Sequence, residues 1–294
     1  MIADGNSPLQ PELSVIVPCL NVEHVLPTQL EALARQDCPE PWEVVIVDNG
    51  SVDRTRAVAR SFSARFEGLR LVLAERRGRH HACNAGARAA QGRYLVFVDG
   101  DDEVAPGFLA AMYQGLQHHD LVGGKLEHRH LNGAGFLGVT ESQSDGLLHG
   151  LGFAQFAMGA NLGVRRDVFD RLGGFGDKPY CEDVDFCWRA QRQGIQPVFL
   201  PEAAVHYRQR STPLAMFRQH RKYGAAQALL YRDFRAFGMP RRSTAEVMRD
   251  WLAIGKTLMV LVRTTHHARI RWVRRLARAV GRISGSVRYG VFYP

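Results

Sequence analysis

GRHHACNAGARAAQGRYLVFVDGDD, residues 78–102, decides how the chain reads. Residues 80–91 carry a helical pattern, and the apolar run Tyr94–Val98 that follows is broken abruptly by Asp99-Gly100-Asp101-Asp102. A helix feeding a buried strand whose carboxyl end is acidic is the unit of an α/β sheet with a binding crevice at that edge. Two carboxylates one residue apart at a strand end repel each other unless a cation lies between them, and a divalent metal is the natural occupant. The competing reading is a simple Asp/Gly turn that caps the helix beginning near Pro106.

The same alternation extends upstream. Leu13–Val17, Val44–Val47 and Leu69–Leu73 are β-branched apolar runs, with helical patterns over 25–35, 53–66 and 106–117. Continuous apolar strands with intervening helices imply parallel pairing buried on both faces. Polar residues cluster where each strand ends, at Asn21 and Glu23 and at Asp48-Asn49-Gly50-Ser51. Downstream, 121–126 reads as a strand, 132–150 as a mobile Gly-rich loop, 158–175 as a strand, a helix and a Gly stop, 182–193 as a helix, and 197–200 as a strand returning toward His206. Glu182-Asp183-x-Asp185 opens that second helix, where acidic residues are favoured by the helix dipole whatever else they do. Asp185 lies about 200° around the helix from Asp183 and is placed to pair with Arg189 at i+4.

Composition fits this reading. The chain has 294 residues, is 46% hydrophobic and 23% charged, and carries a net charge of +9, which excludes collagen-like and disordered classes. The charge is segregated: residues 208–294 hold 19 Lys/Arg against Asp233, Glu246 and Asp250. An acidic front and a basic tail imply two tasks. Five cysteines without a CxxC pair imply a reduced interior and no zinc site. The opening residues have neither a basic start nor an apolar run, and Trp251–Val262 is too short to span a bilayer, so neither a signal peptide nor a spanning segment is expected.

Five blocks in order, SVIVPCLN (14–21), EVVIVDNGSVDRT (43–55), GRHHACNAGARAAQGRYLVFVDGDD (78–102), GANLGVRRDVFDRLGGF (159–175) and CEDVDFCWR (181–189), resemble the successive motifs of the family-2 glycosyltransferases. The resemblance implies an α/β fold of the GT-A type, a doubly wound mixed sheet, over residues 12–210. It implies a metal-dependent, inverting enzyme that moves a sugar from a nucleotide-sugar donor to a hydroxyl acceptor. Residue by residue, it places Asp48 at the nucleobase with Asn49 beside it and Pro18, Leu20 and Glu23 in the adjoining wall. It places Asp99 at the ribose, Asp101 and His206 on a Mg²⁺ or Mn²⁺ bridging the diphosphate, and Arg79 near the donor. Asp183 of the Glu182-Asp183 pair takes the position of the catalytic base. Three positions depart from the pattern: Asn49 stands for a second Asp, Leu20 for an aromatic, and Cys83 for an Arg.

Residues 211–294 form the basic helical extension. In RIRWVRRLARAVGRIS (269–284), Arg271, Arg274, Arg275, Arg278 and Arg282 fall on one helical face and Val273, Leu276, Ala277, Val280 and Ile283 on the other, with Trp272 at the boundary. Such a helix suits the headgroup level of an anionic bilayer, and packing of its apolar side on the enzyme with solvated arginines is the alternative. The expectation is a cytoplasmic enzyme, peripheral on the inner face of the cell membrane, with a lipid-linked or envelope-polysaccharide acceptor and no nucleic-acid partner. Two other functions fit parts of the pattern. A nucleotidyltransferase also wants an acidic metal pair but has no use for Asp183, and a non-catalytic membrane-recruited module would bind nucleotide-sugar without turnover.

Overall fold

In the computed structural model, residues 10–132, 143–210, 212–258 and 266–294 are described. The four apolar runs become β1 (Leu13–Cys19), β2 (Trp42–Asp48), β3 (Leu69–Leu73) and β4 (Tyr94–Val98). They pair in parallel in the order β3-β2-β1-β4. Helices α1 (Leu26–Ala34), α2 (Thr55–Ser61) and α3 (Arg79–Ala89) supply the crossovers. Because β2 and β3 lie on one side of β1 and β4 on the other, the strand order reverses at β1 and a crevice opens at the carboxyl ends. Alternate residues sort the core into two layers. Val15, Val17, Val44, Ile46, Val96 and Val98 pack with α1, and Ile16, Val45, Val47, Leu95 and Phe97 pack with α3. Each such side chain contributes roughly 1.5–3 kcal/mol when fully buried.

The sheet then turns mixed. After β5 (Glu103–Val104) come α4 (Phe108–His118), β6 (Leu121–Glu127), β7 (Leu148–Gly150), β8 (Ala154–Phe156), β9 (Asn161–Arg165), α5 (Arg166–Arg171), α6 (Glu182–Gln191) and β10 (Val198–His206). The eight-stranded order is completed by β4-β9-β6-β10-β5, with β9 antiparallel to both β4 and β6. β7 and β8 form a separate hairpin, and neither it nor β5 is evident from the sequence pattern. Residues 133–142 of the loop expected to be mobile lie outside the described residues. At its far end Gln143 is fully buried, donating to Gly124 O (2.5 Å) and accepting from Met158 N (2.8 Å).

Asp185 behaves as its spacing implies. It is fully buried, accepts from Arg189 Nε at 2.7 Å, and is also paired with Lys178. Arg189 in turn donates to Leu172 O and Gly174 O, so the pair ties α6 to the end of α5. Removing one partner strands buried charge, and Asp185→Asn is expected to lower the unfolding free energy by about 3–5 kcal/mol. Urea denaturation checks this, and a loss well below about 1 kcal/mol, the level of an exposed pair, would contradict it.

The C-terminal region is helical: α7 (Pro213–Phe234), α8 (Thr244–Leu258) and α9 (His266–Tyr289). The side chains of His266 and His267, and residues 259–265, lie outside the description. Here the structure corrects which side of the tail helix packs on the rest of the chain. α9 docks on α7 through its small residues, and a Cβ on Gly285 would lie 2.7 Å from the Ala225 backbone. That approach carries part of the arginine side inward: Arg282 is 6% exposed and pairs with Asp250 at 3.0 Å, while Arg278 donates to His220 Nδ1 at 3.2 Å. Burial and the neighbouring Arg278 push His220 down to about 3, which keeps its ring a neutral acceptor. Trp272 donates to Ile254 O instead of marking a boundary. The outward side carries Ile283 and Val287, 44% and 82% exposed, together with exposed Arg271 and Arg275.

Candidate active site

The carboxyl ends of β2 and β4, the start of α3, the start of α6 and one side of α7 surround a cavity of about 930 Å³. Asp99 and Asp101 line it from the end of β4, and Glu182 and Asp183 from the start of α6. Acidic blocks about 80 residues apart in sequence thus face one space. Arg79, in the first turn of α3, joins them: its guanidinium lies 2.7 Å from Asp99 Oδ1 and 3.5 Å from Glu182 Oε1, and it donates to Gly159 O at 2.7 Å.

Asp99, Asp101 and Asp102 each offer a carboxylate oxygen within 4.8 Å of the others. Burial, then Asp99, raises the Asp101 carboxyl above its ordinary range, and burial, then Asp101, raises that of Asp102 far above it. Asp102 accepts from Arg208 N at 2.7 Å, but its Oδ2 is buried with no partner among the described residues. Hard oxygen donors with uncompensated charge and a free lone pair fit Mg²⁺ or Mn²⁺. Arg210 lies 3.1 Å from Asp101 Oδ2 and offsets some of that charge.

His206 is not gathered with these groups. Its Nδ1 faces Glu127 Oε2 at 3.1 Å, its ring stacks on His130 at 4.2 Å, and it does not line the cavity. Side chains alternate along an extended chain, so Tyr207, the next residue, takes the cavity side. The donor-side expectations divide. Leu20 and Asn49 line the cavity, but the Asn49 amide is committed to the 76–78 turn, accepting from Gly78 N (2.8 Å) and donating to Arg76 O (3.1 Å). Gly78 needs that clamp: its φ is +136° and a Cβ would lie 2.7 Å from His80. Asp48 is buried at the end of β2, accepting from Ser51 N at 3.1 Å, with Arg56 at 3.8 Å. Glu23 turns to the 53–55 loop and accepts from Arg54 N at 2.7 Å, and neither it nor Pro18 lines the cavity.

Asp183 is half-buried, and its Oδ2 accepts from Gly159 N at 2.8 Å. Glu182 is 4% exposed, and burial pushes its carboxyl up to about 7 despite Arg79. Between about 4.5 and about 7 the folded chain therefore keeps a proton that the unfolded chain has lost. The contribution of Glu182 to stability is full below that window and falls as pH rises through it. Glu182→Gln is expected to match the parent near pH 4.5 and to be the more stable of the two at pH 8. Thermal melts across that range test the sign, and an E182Q protein less stable than the parent at pH 8 would contradict it.

Sequence reasoning missed the residues after β10. Tyr207, Arg208 and Arg210 line the cavity, as do Arg218, Lys222 and Tyr223 of α7. The basic run YRQR (207–210) at the end of a strand sharing the acidic edge was the available signal.

A sequence model described as "Glycosyl transferase family 2" matches residues 14–173, and one described as "Glycosyl transferase family group 2" matches 94–280. Glycosyltransferase AglE of Haloferax volcanii is 32% identical over 174 residues, covering 56% of each chain. Probable glycosyltransferase YdaM of Bacillus subtilis is 24% identical over 243 residues, covering 77% of this chain and 57% of the other. The chain thus spans little more than half the length of these two relatives. Among solved structures, the mannosyltransferase PcManGT from Pyrobaculum calidifontis, in complex with GDP-Man and Mn²⁺, superposes with a TM-score of 0.63 at 20% identity, covering 95% of this chain and 88% of that one. S. aureus TarS 1-349 in complex with UDP-GlcNAc gives 0.57 at 17% identity, covering 96% and 93%. These likenesses establish the GT-A fold, with its helical C-terminal part.

Proposed function

The chain belongs to glycosyl transferase family 2, and from that premise we propose that it transfers a sugar, with inversion, from a nucleotide-sugar to an acceptor hydroxyl. The observation that carries this is the convergence of Asp99 and Asp101 with Asp183 on one cavity. The sugar nucleotides bound by PcManGT and TarS, and the Mn²⁺ bound by PcManGT, support it by analogy of fold.

Asp101, with Asp99 and Asp102, would hold a Mg²⁺ or Mn²⁺ ion. Such an ion, when bound, neutralises charge on a departing diphosphate. Arg208 and Arg210 stand beside Asp101 and add fixed positive charge to the same region. Gly159 N–H fixes one oxygen of Asp183, and the carboxylate takes the acceptor's proton as its oxygen attacks the anomeric carbon. One displacement with one base inverts the configuration at that carbon. Arg79, bonded to both acidic blocks, sets their spacing.

Nucleoside diphosphate release across UDP-, dTDP- and GDP-sugars, with and without chelator, tests the reading. Metal-dependent release with an inverted anomer in the product is expected. Release of pyrophosphate would favour a nucleotidyltransferase, and tight binding without turnover a non-catalytic module.

Attachment to an anionic lipid surface belongs to the same proposal. Among the described residues no helix is long and apolar enough to cross a membrane. The outward Ile283 and Val287, with Arg271 and Arg275 on the same helix, supply apolar insertion and charge attraction. The full chain is expected to float with anionic vesicles and not with neutral ones, and Val287→Asp to weaken flotation. Equal flotation of V287D would exclude this face.

A further inference from the structure

The α7 side of the cavity carries positive charge that the transfer chemistry does not use. Arg218 and Lys222 sit one turn apart on α7 and both line the cavity. Neither has a carboxylate partner among the described residues. By contrast Arg76, Arg79 and Arg210, which line the same space, are each paired with an aspartate. Like charges one helical turn apart repel, and an anion between them removes the repulsion.

Lys222 reaches the segment that leads to Asp183. The Lys222 ammonium lies 4.7 Å over the Tyr180 ring, and Tyr180 is three residues before Asp183 in the segment that leads into α6. Tyr180 itself is held at φ +70°, a left-handed conformation that a bulky side chain adopts at a cost. Retained strain of this kind marks segments that other contacts over-determine, often at ligand sites. It presents the ring 46% exposed, beneath the cation and lining the cavity.

Resting on the glycosyl-transfer reading above, we propose that the acceptor bears an anionic group, a phosphate or a carboxylate, bound by Arg218 and Lys222 while its hydroxyl is directed at Asp183. A guanidinium and an ammonium converging on one anion make charge-assisted hydrogen bonds, which are stronger than neutral ones. The Tyr180 ring gives the acceptor's sugar or chain an apolar surface to lie on. Arg218 and Lys222 are positioning residues in this account, and the reacting atoms are elsewhere.

The test is calorimetric, with the full chain in Mg²⁺ and whichever of UDP, dTDP or GDP it binds. Citronellyl phosphate is titrated against citronellol, and methyl glucuronide against methyl glucoside. At least one anionic probe is expected to bind about tenfold or more tightly than its neutral counterpart, and the R218Q/K222Q double variant to erase the preference. The phosphate arm reports a lipid-phosphate carrier and the carboxylate arm an acidic sugar. Absence of preference in both arms, or its persistence in the double variant, overturns the proposal. Nucleotide affinity, read in the same titrations, is expected to stay within about twofold in the variant, and a larger loss would assign both cations to the donor's own phosphates and overturn the proposal. Loss of nucleotide binding by the parent protein itself would instead overturn the glycosyl-transfer reading, and the probe arms remain readable without it.

Discussion

Asp183→Asn is expected to slow sugar transfer by about 10²–10⁴-fold while leaving the fold and the nucleotide affinity in place. The two carboxylate oxygens accept from Gly159 N and Val184 N, each at 2.8 Å, and the amide oxygen of the variant keeps the Gly159 bond that anchors the start of α6. What it loses is the ability to take a proton from an attacking hydroxyl, whose own pKa leaves it almost wholly protonated near neutrality. The effect belongs in kcat at saturating donor and acceptor. Nucleoside diphosphate release, read beside a thermal melt, separates it from unfolding. Near-normal turnover by a folded D183N protein would move the base elsewhere, and Glu182, its protonation already poised near neutral pH, would be the next group to test.

The second large effect is at Asp101. Asp101→Asn is expected to reduce transfer by about 10²–10³-fold, the scale of losing one preorganised electrostatic contact to a developing anion. It is also expected to remove the dependence of nucleotide binding on Mg²⁺ or Mn²⁺. Burial and Asp99 hold the Asp101 carboxyl above its usual range, so the charge there is costly until a cation shares it. Calorimetry of nucleoside diphosphate with and without Mn²⁺ reads the difference. A metal response undiminished in D101N would assign the ion to other ligands.

Asp101 stood out in the sequence because it sits where a strand stops, whereas the residues around Asp183 alone favoured a helix-dipole role and its assignment as base came from the family resemblance. Leu69–Leu73 coincides with β3, the partly exposed edge strand, and the run Tyr94–Val98 coincides with β4, since a continuous apolar run has few alternatives to a doubly buried strand. Asp99 and Asp101 follow from that placement, and the pairing of Asp185 with Arg189 follows from helical spacing alone. β5 and the β7–β8 hairpin were not legible, because two- and three-residue pairings leave no period to detect. His206 shows the limit of position without phase: one residue decides which side of an extended chain a ring occupies, and here it occupies the side of Glu127. α9 shows the limit of amphipathicity. Hydropathy alone divides it into two faces, but Gly281 and Gly285 permit an approach to α7 so close that small size, and not apolarity, decides the inner side. Arg278 and Arg282 are then drawn in, and Val287 is left outside.

A crystal structure of the full chain with a non-hydrolysable sugar nucleotide and Mn²⁺ locates the ion and the reacting carbon. Anomalous scattering from manganese is expected at the Asp101 carboxylate, against the diphosphate, with the anomeric carbon turned toward Asp183. Manganese bound away from Asp99, Asp101 and Asp102, or a sugar whose anomeric carbon faces away from α6, would contradict it.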